Sequence, residues 1–261
     1  METNIEIKKT VRAGNSSAVI LPRAWLNQEV RVELIKKTPG IILQDILKIT
    51  RKYLAPEKII GIYITGSYAR KEGNRESDID ILIISDGIDK EEIKDGIYSI
   101  LIVSKDLLMW KLENDLFPVG PMIIEAVPLI NSVYLETIRS LVAVTKKNVK
   151  WYIDTTGKKL GAIKEYIDKS ERTVGNRVVY TLVLRIRTLQ MIEKLARNQI
   201  PSNQELMSLI SKISGSNNAY NAYLAHKNNV ERKSLTKKEE ATKLYDYLKG
   251  QLKKVKGILR Y

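Results

Sequence analysis

The chain has no cysteine, one histidine and one phenylalanine in 261 residues. Without thiols it can form no disulfide, no thiolate nucleophile and no Cys-based zinc or iron–sulfur site. A lone His226 excludes a histidine-rich metal centre. No window comes near the roughly 18 to 20 uninterrupted apolar residues a membrane span needs, and the N-terminus lacks the basic-then-apolar layout of a signal peptide. A soluble, cytoplasmic chain is therefore expected, and 44% hydrophobic content is enough for a substantial core. Acidic residues are scarce in one part only. Residues 1–144 hold 19 Lys and Arg against 20 Asp and Glu, whereas residues 145–261 hold 25 against 10. Such an asymmetry attracts polyanions, but basic side chains also solvate helix faces in heat-adapted proteins, and composition leaves both readings open.

Residues 5–37 read as short strands around Gly14-Asn15-Ser16-Ser17 and Leu21-Pro22-Arg23, followed by the alternation Val30, Val32, Leu34. About 30 residues cannot bury enough surface to stand alone. A helix is predicted over residues 41–54, from Ile42, Ile46, Ile49 and Tyr53, and a buried strand over 59–65. A second strand is expected over 78–85, a helical region over 90–115, and a third strand over 122–127 closed by Pro128. From Ser132 on, helices are expected over 178–197, 203–213, 219–228 and 236–259, as a bundle broken at Pro201 and Gly215-Ser216-Asn217-Asn218. These elements give an α+β fold in three parts: a β-hairpin unit at 1–38, a mixed sheet with flanking helices at 39–131, and a basic helical domain at 132–261.

The informative segment is Gly66-Ser67-Tyr68-Ala69-Arg70, seven residues, then Asp78-Ile79-Asp80-Ile81-Leu82-Ile83. Residues two apart on a strand share a face, so Asp78 and Asp80 should project together while Ile79, Ile81 and Ile83 fill the opposite face. Two adjacent carboxylates repel one another, and a divalent cation relieves that cost. Magnesium is typically held by one or two carboxylates, with water and phosphate oxygens completing its shell. A phosphate-bearing ligand follows. Gly66 lets the backbone turn sharply and approach an anion, and Ser67 adds a hydroxyl at a helix start. Arg70 can contact phosphate or brace the loop through a carboxylate such as Glu76; the sequence does not choose. Glu125, inside the apolar run Met122–Val127, is the candidate third carboxylate for a second metal or a general base, with a salt bridge to Arg139 as the structural alternative.

On these residues, Gly66-Ser67-Tyr68-Ala69-Arg70 with Ser77-Asp78-Ile79-Asp80-Ile81-Leu82, the chain resembles the DNA polymerase β-type nucleotidyltransferases over about residues 41–130. The resemblance implies transfer of a nucleoside monophosphate, AMP in the first instance, from ATP or another NTP to an acceptor hydroxyl on a small molecule, protein or RNA. It implies two Mg2+ ions held by Asp78, Asp80 and Glu125, and β/γ-phosphates held by Gly66 and Ser67. Residues 10–26 resemble the AbrB-type swapped-hairpin family, which implies a homodimer that binds DNA. The alternative function is thus a DNA-binding regulator or antitoxin-like protein. The helical part resembles, more weakly, the helical domains that follow such cores in antibiotic nucleotidyltransferases. Arg185, Arg187, Lys194 and Arg197 could line an acceptor or triphosphate groove, or form a solvated face. Tyr220 and Tyr223 near Lys227 could stack on a base, or belong to a core. His226 shows no partner in the sequence.

Overall fold

The computed structural model describes residues 6, 8, 10–32, 38–73, 77–200, 202–228, 230 and 235–259. The chain divides into two compact units, residues 1–109 with 125–139 and residues 110–124 with 140–261.

The first unit opens with an antiparallel hairpin of β1 (Val11–Ala13) and β2 (Ser16–Ala18), followed by a single 3-10 turn at Arg23–Trp25. Every residue of both strands is exposed. Val30 and Val32 lie outside any strand, and Leu34 falls outside the described residues. Helix α1 (Pro39–Thr50) starts at Thr38, whose hydroxyl accepts from the Ile41 amide, and Pro39 supplies a first-turn residue without an orphan donor. It ends four residues earlier than its apolar spacing suggests.

Strand β3 (Ile59–Thr65), helix α2 (Gly66–Ala69) and strand β4 (Ile79–Ser85) come next. Residues 90–115 depart from expectation. They form strand β5 (Lys90–Asp95), strand β6 (Tyr98–Ser104) and only then helix α3 (Lys105–Asn114). The two-residue turn is Gly96-Ile97, with Asp95 paired to Tyr98 and Gly96 at φ +59°, and Tyr98, Ile100 and Ile102 alternate inward as a half-buried strand requires. The expected strand over 122–127 is also corrected. Helix α4 (Val119–Glu125) occupies it, and strand β7 (Val127–Ile130) begins afterwards, with Pro128 inside it. Proline is tolerated there because β7 is an edge strand. Helix α5 (Ser132–Ser140) follows.

The sheet order is β5-β6-β4-β3-β7; β4 and β6 are parallel and the other pairs antiparallel. One face packs Ile62, Ile64, Ile79, Ile81, Ile83, Ile100 and Ile102 with Ile42, Ile46 and Ile49 of α1. Full burial of each such side chain contributes about 1.5–3 kcal/mol, so this layer fixes the register of β3 against β4.

The second unit contains α6 (Lys146–Lys169), α7 (Asn176–Leu195), α8 (Asn203–Ser214), α9 (Asn218–Lys227) and α10 (Lys238–Ile258). The last four fall where the sequence predicts helices, with boundaries moved by a few residues, and α6 is a fifth that it did not mark. Val179, Leu182, Val183, Ile186, Leu189 and Ile192 form the buried stripe of α7, and Ala241, Leu244, Leu248 and Val255 that of α10. Thr145 and Asn148 cap α6 reciprocally, and the buried Asn148 amide also donates to the Leu112 and Ala143 carbonyls at 2.6 and 2.9 Å. Among the described residues no helix is long and apolar enough to cross a membrane.

Candidate active site

The site forms where β3 turns into α2. Antiparallel pairing sets Thr65 opposite Asp80, and the Thr65 hydroxyl donates to the Asp80 carbonyl at 3.3 Å. The chain then reverses at Gly66 with φ +68°, a left-handed backbone open chiefly to glycine. A side chain is excluded for a second reason. A Cβ on Gly66 would sit 2.0 Å from Oδ2 of Asp80 and 2.9 Å from its Cγ. The Asp80 carboxylate is therefore pressed against the bare turn. Asp80 is partly buried on β4, with Ile79 and Ile81 buried on the opposite face. Asp78 lies one residue ahead of the strand and is exposed, so the strand is one residue shorter than expected.

Glu125 reaches the same turn from the end of α4 rather than from a strand. Its Oε1 accepts the Gly66 amide at 2.6 Å, and its Oε2 accepts from Nη1 of Arg70. The Nε of Arg70 donates to Glu72 at 2.9 Å. Both side chains of the Arg70–Glu125 pair are largely buried, 12% and 7% exposed. Burial pulls the Arg70 guanidinium down, but the Glu125 carboxylate and the contacts with Glu72 outweigh it, and its pKa lies above the ordinary value. Two carboxylates hold Arg70 in this structure. Its partners are Glu125 and Glu72, whereas Glu76 lies outside the described residues. Arg139, the alternative partner for Glu125, bonds instead to Glu136 and to the Ala126 carbonyl.

Among the described residues no three His, Cys, Asp or Glu side chains gather closely enough to hold a metal on their own. Magnesium needs only one or two carboxylates when water and phosphate complete its shell, and the hard oxygens of Asp78 and Asp80 suit that donor set. Glu72 was not legible as a site residue, since nothing in the spacing marks it as a partner of Arg70.

In the second unit the four basic residues each have a separate partner. Arg185 donates to the Thr155 hydroxyl, Arg187 to the Tyr223 hydroxyl, Lys194 to Glu205, and Arg197 pairs with Glu193. Tyr220 and Tyr223 are buried; Tyr223 stacks on Tyr180, which also meets His226 at 4.5 Å between ring centres. These tyrosines belong to the core of that unit.

No curated protein matches the sequence. A nucleotidyltransferase-like protein from Exiguobacterium sibiricum is 12% identical, over 82% of this chain and 75% of its own, with a TM-score of 0.36. The spectinomycin adenyltransferase AAD(9) from Enterococcus faecialis, solved with ATP and spectinomycin, is 13% identical, over 82% of this chain and 99% of its own, with a TM-score of 0.41. Both are distant likenesses. Residues 43–154 match the nucleotidyltransferase domain family, and that stretch includes Gly66, Ser67, Arg70, Asp78, Asp80 and Glu125. Residues 43–154 of the chain thus carry a match to the nucleotidyltransferase domain, and the candidate site lies inside it.

Proposed function

We propose that the protein moves AMP from ATP to an acceptor hydroxyl on a small molecule, protein or RNA. The observation that carries this reading is the Asp80 carboxylate set against the left-handed Gly66 turn, with Asp78 two residues away. In this reading Asp78 and Asp80 hold Mg2+, two ions when the nucleotide is bound, and Ser67 with the start of α2 receives the β/γ-phosphates. The metal supplies charge neutralisation for the triphosphate. The acceptor oxygen bonds to the α-phosphorus, the α–β bond breaks, and pyrophosphate leaves with that bond's electron pair. Both oxygens of Glu125 are engaged by Gly66 and Arg70, which supports a bracing role for this carboxylate in place of the expected metal ligation. A rigid turn of this kind is preorganised for anions and needs no rearrangement as charge develops.

The test is incubation with α-labelled NTPs and Mg2+, then with Asp78→Asn and Asp80→Asn. Label should pass from ATP to an acceptor in a metal-dependent way and vanish in both variants. Transfer that survives in the double variant overturns the assignment.

A second role is favoured by the N-terminal hairpin. Its strands are wholly exposed, and Ile20, Leu26 and Val32 nearby are exposed large apolar side chains. An isolated two-stranded hairpin is marginal in water, and such side chains gain by pairing with a second copy. Residues 1–38 are accordingly proposed to form a homodimeric, DNA-binding unit, compatible with a regulatory or antitoxin-like role. Deleting them should leave a monomer without salt-dependent duplex binding. A truncated protein that stays dimeric and binds duplex unchanged refutes this.

A further inference from the structure

The acceptor hydroxyl must lose a proton, and the acid expected to take it, Glu125, holds its two oxygens on the Gly66 amide and the Arg70 guanidinium. Strand register identifies another candidate. Asp80 on β4 is paired in parallel with Ser99 on β6, and Ser99 is paired with Lys94 on β5. Their chain neighbours Ile79, Ile81, Tyr98 and Ile100 all fill the core on the opposite face. Asp80 and Ser99 therefore stand side by side on the face turned away from α1, about 5 Å apart from strand to strand. The Ser99 hydroxyl donates to Oε1 of Glu92 at 3.2 Å, which brings this carboxylate onto the face of Asp80. Pairing of β5 is irregular between Lys90 and Ile93, the kind of local distortion that re-aims a side chain at a sheet edge. Glu92 is 56% exposed, with Nζ of Lys94 at 3.4 Å, so an incoming hydroxyl can reach it.

We propose that Glu92 is the general base of the transfer. As the acceptor oxygen bonds to the α-phosphorus and pyrophosphate departs, the hydroxyl proton passes to the Glu92 carboxylate, and Ser99 holds that carboxylate toward Asp80. This rests on the nucleotidyl-transfer reading above. A positioned base of this type accelerates proton removal by about 10²–10⁴-fold when it lies within hydrogen-bond reach of the hydroxyl.

The experiment uses the full chain, α-labelled ATP with Mg2+, and glycerol as the hydroxyl probe, with water as the background acceptor. Glu92→Gln should lower kcat about 100-fold or more. It should leave the KM for ATP within about twofold. Glu92→Asp should restore part of kcat. Ser99→Ala should lower kcat less. Glu92→Gln with kcat near wild type, or with its loss confined to KM, overturns the proposal. A wild-type protein that forms neither AMP nor glycerol adduct, while Asp80→Asn behaves identically, overturns the transfer reading itself.

Discussion

Alanine at Gly66 tests the core of the site, because the structure gives two independent reasons for glycine there. The backbone at φ +68° costs an L-residue about 1–2 kcal/mol. The new methyl would lie 2.0 Å from Oδ2 of Asp80, so the carboxylate must rotate off its preferred position at about 0.5–1.5 kcal/mol. Reduced freedom of the unfolded chain returns about 0.4–1 kcal/mol. The net loss is about 0.5–3 kcal/mol, which at about 3–6 °C per kcal/mol for a unit of this size lowers Tm by about 2–18 °C in the transition of the first unit. Binding should suffer more than stability, since the displaced group is the one assigned to the metal. Calorimetry with Mg2+ and a non-hydrolysable ATP analogue should show at least a tenfold weaker complex, which is about 1.4 kcal/mol. Gly40 is the control: it has open space and ordinary helical backbone, so Gly40→Ala should match or slightly exceed wild-type stability. A Gly66→Ala protein that melts with the wild type and binds Mg2+–nucleotide equally well would show that Asp80 and the turn are not coupled.

Urea unfolding of Glu125→Ala should show a loss of about 1–3 kcal/mol, because it orphans the Gly66 amide and leaves the largely buried Arg70 guanidinium with Glu72 as its remaining carboxylate partner. Combined with Arg70→Ala it should give a coupling energy above about 0.5 kcal/mol, and strict additivity would contradict the brace. Asn148→Ala should cost about 1–3 kcal/mol by orphaning the Leu112 and Ala143 carbonyls; a loss below 0.5 kcal/mol, roughly the scatter of surface changes, would count against their importance. Burial, with a smaller contribution from Tyr134, pushes the Tyr63 phenol up to about 12 from 10.0. A group raised in the folded state contributes stability below its unfolded pKa and loses it as pH climbs, so the stability curve should fall between about pH 10 and 12. In Tyr63→Phe that slope should flatten; an unchanged slope refutes the assignment.

The acidic pair and its strand were legible because Ile79, Ile81 and Ile83 alternate with Asp80 and Leu82, leaving one frame that buries the isoleucines. The glycine turn was legible for the same reason, being placed between two apolar runs. The run Met122–Val127 was not, since a short apolar stretch fits a strand or a buried helix equally well by periodicity. Lys90-Glu91-Glu92-Ile93-Lys94-Asp95 resembled a polar helix face, and only its pairing with Tyr98–Ser104 makes it a strand. The bond from Gly66 to Glu125 spans 59 residues and that from Arg70 spans 55. No local pattern encodes such a contact; it follows from Glu125 meeting the turn at the end of β3.

The strand order also bears on how the domain is made. Strands β4 and β5 are consecutive along the chain yet not neighbours, because β6 is inserted between them. Until residues 90–104 have been synthesised and folded back, one whole flank of β4 has its amides and carbonyls unmatched beside an isoleucine-rich surface, a template for adhesion between nascent chains. Closure at Gly96-Ile97 ends that interval, so the speed of this one bend governs how long the half-built sheet is sticky, and a slower bend should appear first as lower soluble yield, with the finished protein unaltered.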